Sequence, residues 1–181
     1  FVSVKTRLGK SVYTNYRDSM IRGLIFDLDG TLVDSLPGIA TALNHALDDI
    51  KLPNHSQDVV ETFIGDGLLN LITRALGPDH SNQQDELLAA FQKHYSEDWK
   101  NGTYPYPGFI ALLQELQKSK LPMAVLSNKP HGYTVEIVET LFPQKLFSQV
   151  RGHQEGYPKK PDPTTAHQII SDWNLKPEEV A

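Results

Sequence analysis

The hydrophobic spacing of this 181-residue chain changes twice, and that change restricts the fold more than any other feature. Ile21 to Phe26 is a short, mostly apolar run that stops at Asp27, Asp29 and Gly30, the pattern of a buried parallel strand breaking into a turn. Then Leu36, Ile39, Leu43, Ala46, Leu47 and Ile50 recur at helical spacing until Pro53. Further helices are predicted over Val59 to Ile64, Leu68 to Leu76 and Gln84 to Trp99, so residues 36 to about 100 read as helical throughout. Asn101-Gly102 and Tyr104-Pro105-Tyr106-Pro107-Gly108 punctuate the chain as a hinge or re-entry point. Beyond it strands alternate with helices: helix Ile110 to Lys118, strand Met123 to Leu126, helix Thr134 to Phe142, strand Phe147 to Val150 and helix Thr164 to Trp173. Such alternation implies crossover units and a parallel sheet covered on both faces. The expected fold class is α/β, a Rossmann-like parallel sheet core carrying an inserted all-helical unit.

Composition narrows the function classes. Hydrophobic residues at 39% and charged residues at 22% suit a globular domain, and at this length a core needs no disulfide staple. A net charge of −5 gives no basic footprint for nucleic acid. The absence of cysteine excludes disulfide scaffolds, thiol catalysis and Cys-based metal centres, and fits a reducing cytoplasm. No apolar run approaches the roughly 20 residues that span a bilayer. Residues 1–19, basic through Lys5, Arg7, Lys10 and Arg17 and followed by Met20, read as an N-terminal extension. They are expected to be upstream sequence outside the native frame, a transit-like leader, or an extra strand at Val2 to Lys5 or Val12 to Tyr16.

Open parallel sheets bind ligands outside the carboxyl ends of their strands. Asp27 and Asp29 lie at one such end, Ser127 and Asn128 at a second, and Lys160 in a loop after the third. Spaced by two, the aspartates share a face if the extended backbone persists; taken alone, the segment also fits an Asp-Gly turn with capping by Thr31, Asp34 and Ser35. A carboxylate facing phosphate is repelled by roughly 4 kcal/mol at 4 Å in an effective dielectric near 20, so attack on phosphorus needs a cation. Mg²⁺ on carboxylate oxygens or the Lys160 ammonium could supply one. Lys159-Lys160 alone fits a solvated surface pair, but Pro158, Pro161 and Pro163 stiffen its loop. Ser127-Asn128-Lys129-Pro130, between a strand and a helix starting near Gly132, fits an anion site or a simple helix cap equally. Gly65-Asp66-Gly67 lacks the spacing of a dinucleotide fingerprint. No HExxH or GxSxG pattern occurs, and His45, His94 and His167 read as surface or boundary residues.

Asp27-Leu28-Asp29-Gly30-Thr31-Leu32-Val33-Asp34-Ser35 resembles the first signature of the haloacid dehalogenase superfamily, in its phosphoglycolate phosphatase-like branch. Ser127-Asn128-Lys129-Pro130 resembles the second signature and Lys160-Pro161-Asp162-Pro163 the third. The resemblance covers residues 20 to 181. It implies a Mg²⁺-dependent phosphatase of small phosphomonoesters, with Asp27 as nucleophile, Asp29 as acid and then base, and Lys160 as the neutralising cation. Thr31, Ser127 and Asn128 would hold the phosphoryl group, and Mg²⁺ would bind at Asp27 and Asp29. It further implies core segments at 20–35 and 105–181, a helical cap at 36–104, and Gly65, Asp66 and Gly67 as the cap loop meeting the substrate. The expected partner is a small phosphorylated metabolite, phosphoglycolate being the first to test, with no nucleic acid or membrane, for a monomer or homodimer.

The family's fourth, acidic signature does not follow Ala181, so the chain is expected to be a fragment of a longer enzyme, with the C-terminal part of the core missing and the first strand bare on its outer edge. Two alternatives share the core: a phosphosugar mutase, and a phosphate-binding module without turnover. A phosphonate hydrolase would need a cap lysine as Schiff-base amine, and Lys51 and Lys93 lack the apolar setting for one.

Overall fold

A computed structural model describes residues 21–181; the expectations for residues 1–19 lie outside this range. Three parallel strands, β1 (Leu24–Phe26), β4 (Met123–Pro130) and β5 (Gln149–His153), form a sheet in the order β1-β4-β5. β4 lies at the centre, and its first seven residues are buried, as a strand covered on both faces requires. β2 (Val33–Asp34) and β3 (Tyr104–Pro105) form a separate antiparallel ribbon.

Between β2 and β3 run four helices: α1 (Leu36–Asp49), α2 (Gln57–Glu61), α3 (Leu68–Leu76) and α4 (Gln84–Asp98). Helices α5 (Phe109–Lys118), α6 (His131–Leu141) and α7 (Thr164–Asp172) alternate with the later strands. The helical stripes on α1, α3 and α4 bury Leu43, Leu47, Ile72, Leu87, Phe91 and Tyr95 in a core continuous with Met123 and Val125 of the sheet. Ala124, Leu126 and Ile169 form a smaller cluster under α7.

The α/β class and parallel sheet agree with the sequence-based expectation, with local differences. Within Asn101-Gly102 and Tyr104 to Gly108, read as a hinge or re-entry point, part of the segment is zipped to the outgoing chain: Val33 pairs with Pro105, Asp34 with Tyr104, and Gly38 N–H donates to Gly102 C=O at 2.9 Å. β4 does not end at Leu126. It loses register between Leu126 and Pro130, and pairing returns at Pro130 with His153, so Ser127, Asn128 and Lys129 sit in an irregular strand end, not in a free loop.

β5 starts later than Phe147 because that ring packs edge-on against Phe26 and Phe142, while Ser148 N–H already bonds Met123 C=O. The outer edge of β1, expected bare, is partly covered. Val180 bridges to Gly23, Ala181 N–H donates to Gly23 C=O, and Ile25 N–H donates to Ala181 C=O at 2.8 Å.

Candidate active site

Asp27 follows β1 directly, and the chain then turns through Gly30, whose φ of 75° suits glycine. Leu32 N–H and Val33 N–H both donate to Leu28 C=O, and Gly30 N–H donates to Val33 C=O. This tight turn returns Asp29 and Ser35 toward the strand end. The Asp27 Oδ1 atom accepts from Leu28 N–H and from the Lys160 ammonium, both at 2.7 Å. The same ammonium donates to Leu126 C=O at 3.0 Å, so Lys160 stands between the end of β1 and the point where β4 loses register. Among the described residues no donor reaches Asp27 Oδ2 or the Asp29 carbonyl.

Asp29 is more enclosed. Its Oδ1 accepts from Ser35 Oγ at 2.5 Å and from Lys129 Nζ at 3.0 Å, while Oδ2 lies 3.2 Å from the same ammonium. The Lys129 side chain is 7% exposed and lies over the Tyr95 ring, 5.0 Å from its centroid. Burial disfavours the Lys129 ammonium, but the Asp29 carboxylate and Tyr95 outweigh that penalty and hold its pKa above the usual lysine range. Burial also raises the pKa of Tyr95.

Asn128 ties three segments together. Its Nδ2 donates to Gly65 C=O at 2.9 Å and Lys160 C=O at 3.1 Å, and its Oδ1 accepts from Lys160 N–H at 2.8 Å. Gly67 sits so close to this strand end that an added Cβ would lie 3.2 Å from Asn128 C=O and 2.9 Å from Lys159 Nζ; its φ of 91° disfavours any other residue.

These elements enclose a cavity of about 70 Å³. Asp27, Asp29, Ser127, Asn128 and Lys129 line its polar end, and Ile39, Leu71, Phe91 and Tyr95 line its apolar wall. Gly65 and Gly67 also reach it. Asp66 does not: its carboxylate turns away to pair with Arg74, while its backbone C=O accepts from Asn70 and Lys159. Thr31 is also outside the lining, where its N–H donates to Leu28 C=O within the turn. Lys160 borders a neighbouring groove with Ser127, Asn128, His153 and Lys159, and touches the cavity through Asp27.

The sequence reasoning missed Lys129 and Ser35 as partners of Asp29. Ser35 was legible only as a turn or helix-start residue, and nothing in the spacing joins Lys129 to an aspartate 100 positions earlier.

Residues 24–181 match the family model for haloacid dehalogenase-like hydrolase. The chain is 34% identical over 164 residues to the phosphoglycolate phosphatase of Yersinia pestis, covering 88% of this chain and 71% of that protein. It is 33% identical over 181 residues to the phosphoglycolate phosphatase of Escherichia coli K12, covering 88% and 72%. A crystal structure of a predicted phosphoglycolate phosphatase from Haemophilus somnus superposes with a TM-score of 0.82 at 30% identity, covering 91% of this chain and 76% of that one.

Proposed function

The chain belongs to the haloacid dehalogenase-like hydrolase family and is a phosphatase, and from that premise we propose that it hydrolyses small phosphomonoesters, phosphoglycolate among them, through an aspartyl-phosphate on Asp27. The observation that carries this reading is the Asp27–Lys160 contact of 2.7 Å at the mouth of a cavity that also holds Asp29 and Ser127. A neutralised carboxylate can approach a phosphate dianion that a bare one would repel.

In the first step the Asp27 carboxylate attacks phosphorus, the bond to the substrate alkoxide breaks, and Asp29, a carboxylate in its resting pair with Lys129 that takes up a proton before this step, gives that proton to the leaving oxygen. In the second, Asp29 takes a proton from water as the water oxygen attacks phosphorus and the Asp27 acyl-phosphate bond breaks. Ser127 Oγ and the backbone N–H of Asn128 hold the phosphoryl oxygens, and Lys160 offsets charge on Asp27 throughout. Lys129 and Ser35 position the Asp29 carboxyl group.

The donor set fits a hard divalent cation: the Asp27 carboxylate and the Asp29 carbonyl would hold Mg²⁺. When bound, Mg²⁺ supplies positive charge that screens Asp27 from the phosphate and polarises the phosphoryl oxygens.

Helices α1 to α4, within 36–104, act in this proposal as a cap that selects substrate, with the backbone at Gly65 and Gly67 facing it. The absence of cysteine is in keeping with work in a reducing cytoplasm. The test is phosphate release from an aryl phosphate and from phosphoglycolate with Mg²⁺ present. Turnover that falls by roughly 10³-fold or more in Asp27→Asn supports the reading. Phosphate binding without turnover, or isomer formation without phosphate release, would overturn it.

A further inference from the structure

Away from the cavity, α1 and α4 carry the same pair: a histidine followed four residues later by an aspartate, His45 with Asp49 and His94 with Asp98. Four-residue spacing places each pair on one face of its helix. The helices run antiparallel here, so the pairs meet crosswise. His45 Nδ1 lies 3.3 Å from Asp98 Oδ2, and His94 Nε2 lies 2.8 Å from Asp49 Oδ2. The two imidazole rings stand edge to face with centroids 5.4 Å apart. His45, His94 and Asp98 each present a ligand atom within 4.8 Å of the others.

We propose that this cluster is a second divalent-cation site, of the Zn²⁺ type, separate from the cavity. Two imidazole nitrogens and a carboxylate form a borderline donor set that suits Zn²⁺, whereas Mg²⁺ prefers oxygen alone. Tetrahedral Zn²⁺ with bonds near 2.0–2.1 Å spaces its ligand atoms roughly 3.4 Å apart. The cluster reaches that spacing by side-chain rotation, for which the His45 and Asp98 side chains, 50% and 32% exposed, have room. His94, at 19%, is the more fixed ligand, and Asp49 beside it is the carboxylate that orients its ring. Hydrogen-bonded surface pairs alone would add little stability. A shared cation instead joins the two helices that place Ile39, Phe91 and Tyr95 on the cavity wall.

The test titrates Zn²⁺ by calorimetry into chelator-treated full chain, with excess Mg²⁺ present and circular dichroism confirming that each variant is folded. The expected result is one Zn²⁺ bound by the wild type and by Asp27→Asn, none by His94→Gln or His45→Gln, and affinity weakened roughly 10–100-fold by Asp49→Asn. Zn²⁺ should also raise the wild-type melting temperature and leave that of folded His94→Gln unchanged. Absence of Zn²⁺ binding by the wild type, undiminished binding by both histidine variants, or loss of binding in Asp27→Asn would overturn the proposal.

Discussion

Lys129 and Asp29 face each other with side chains 7% and 14% exposed, so neither charge can fall back on bulk water if the other is removed. Breaking such a pair from one side costs about 3–5 kcal/mol, because the remaining charge stays desolvated. Lys129→Met is therefore expected to lower unfolding free energy by about 3 kcal/mol. Lys129→Met/Asp29→Asn should recover more than half of that loss. Urea unfolding of the four proteins in a double-mutant cycle measures both quantities; equal loss in the single and double variants would mean that the ammonium contributes packing alone.

His153 offers a titration at the same scale. Burial first, and the Lys159 charge second, lower its pKa below the ordinary 6.5. The folded state consequently resists protonating this ring. Its contribution to stability is full above the unfolded pKa and declines as pH falls from about 6.5 toward the folded value. An NMR titration should place the His153 midpoint below that of an exposed histidine, and Lys159→Ala should raise it only part of the way.

Among the elements, Gly65-Asp66-Gly67 shows how a short loop serves the site through its backbone. At Gly67 a Cβ would meet both a left-handed φ of 91° and the Asn128 carbonyl at 3.2 Å. Gly67→Ala is expected to cost about 1–3 kcal/mol and to push the loop off the end of β4. Phosphatase assays should then show KM rising more than kcat falls, since the loop borders the cavity and carries no reacting group.

The elements legible in sequence were those with many repeats of one period. The helix predicted over Leu68 to Leu76 coincides with α3, and the other helices differ at their ends, except that only the first half of Val59 to Ile64 is helical, in α2. The β2–β3 ribbon escaped because each strand has two residues and the partner lies some 70 positions away. The full length of β4 escaped because Ser127, Asn128 and Lys129 read as an anion site or helix cap beyond the strand, yet all three are buried and belong to its irregular end. At the site, a strand end and a proline-flanked loop singled out Asp27 and Lys160, which the structure brings into contact, but alone they fitted a turn and a solvated pair equally well, and only the family resemblance joined them. The position of Asp66 was not legible, because its pairing with Arg74, eight residues on, draws the carboxylate out of the lining.

For the whole molecule, the sheet and the helices inserted between β2 and β3 close over one cavity, and Asn128 is the joint between them. Its side chain makes three hydrogen bonds, one to the 65–67 loop and two to the backbone of Lys160. Asn128→Ala leaves the Gly65 carbonyl and the Lys160 N–H without these partners, which at about 1 kcal/mol per lost bond predicts a loss near 2–3 kcal/mol. Asn128→Asp keeps the acceptor for Lys160 N–H but loses both donated bonds, and sets a carboxylate oxygen against carbonyl oxygens. The aspartate variant should therefore be no more stable than the alanine one, although its shape is closer to the native residue. Hydrogen exchange distinguishes a joint from a general stabiliser. In Asn128→Ala the amides around Gly65 to Leu68 should lose protection while Ala124 and Val125, in the centre of β4, keep theirs. Uniform loss across both regions would make Asn128 a support of the sheet alone. Because Lys160 is anchored to the same side chain, turnover should fall along with loop protection, and restoring asparagine should be the only change at this position that recovers both.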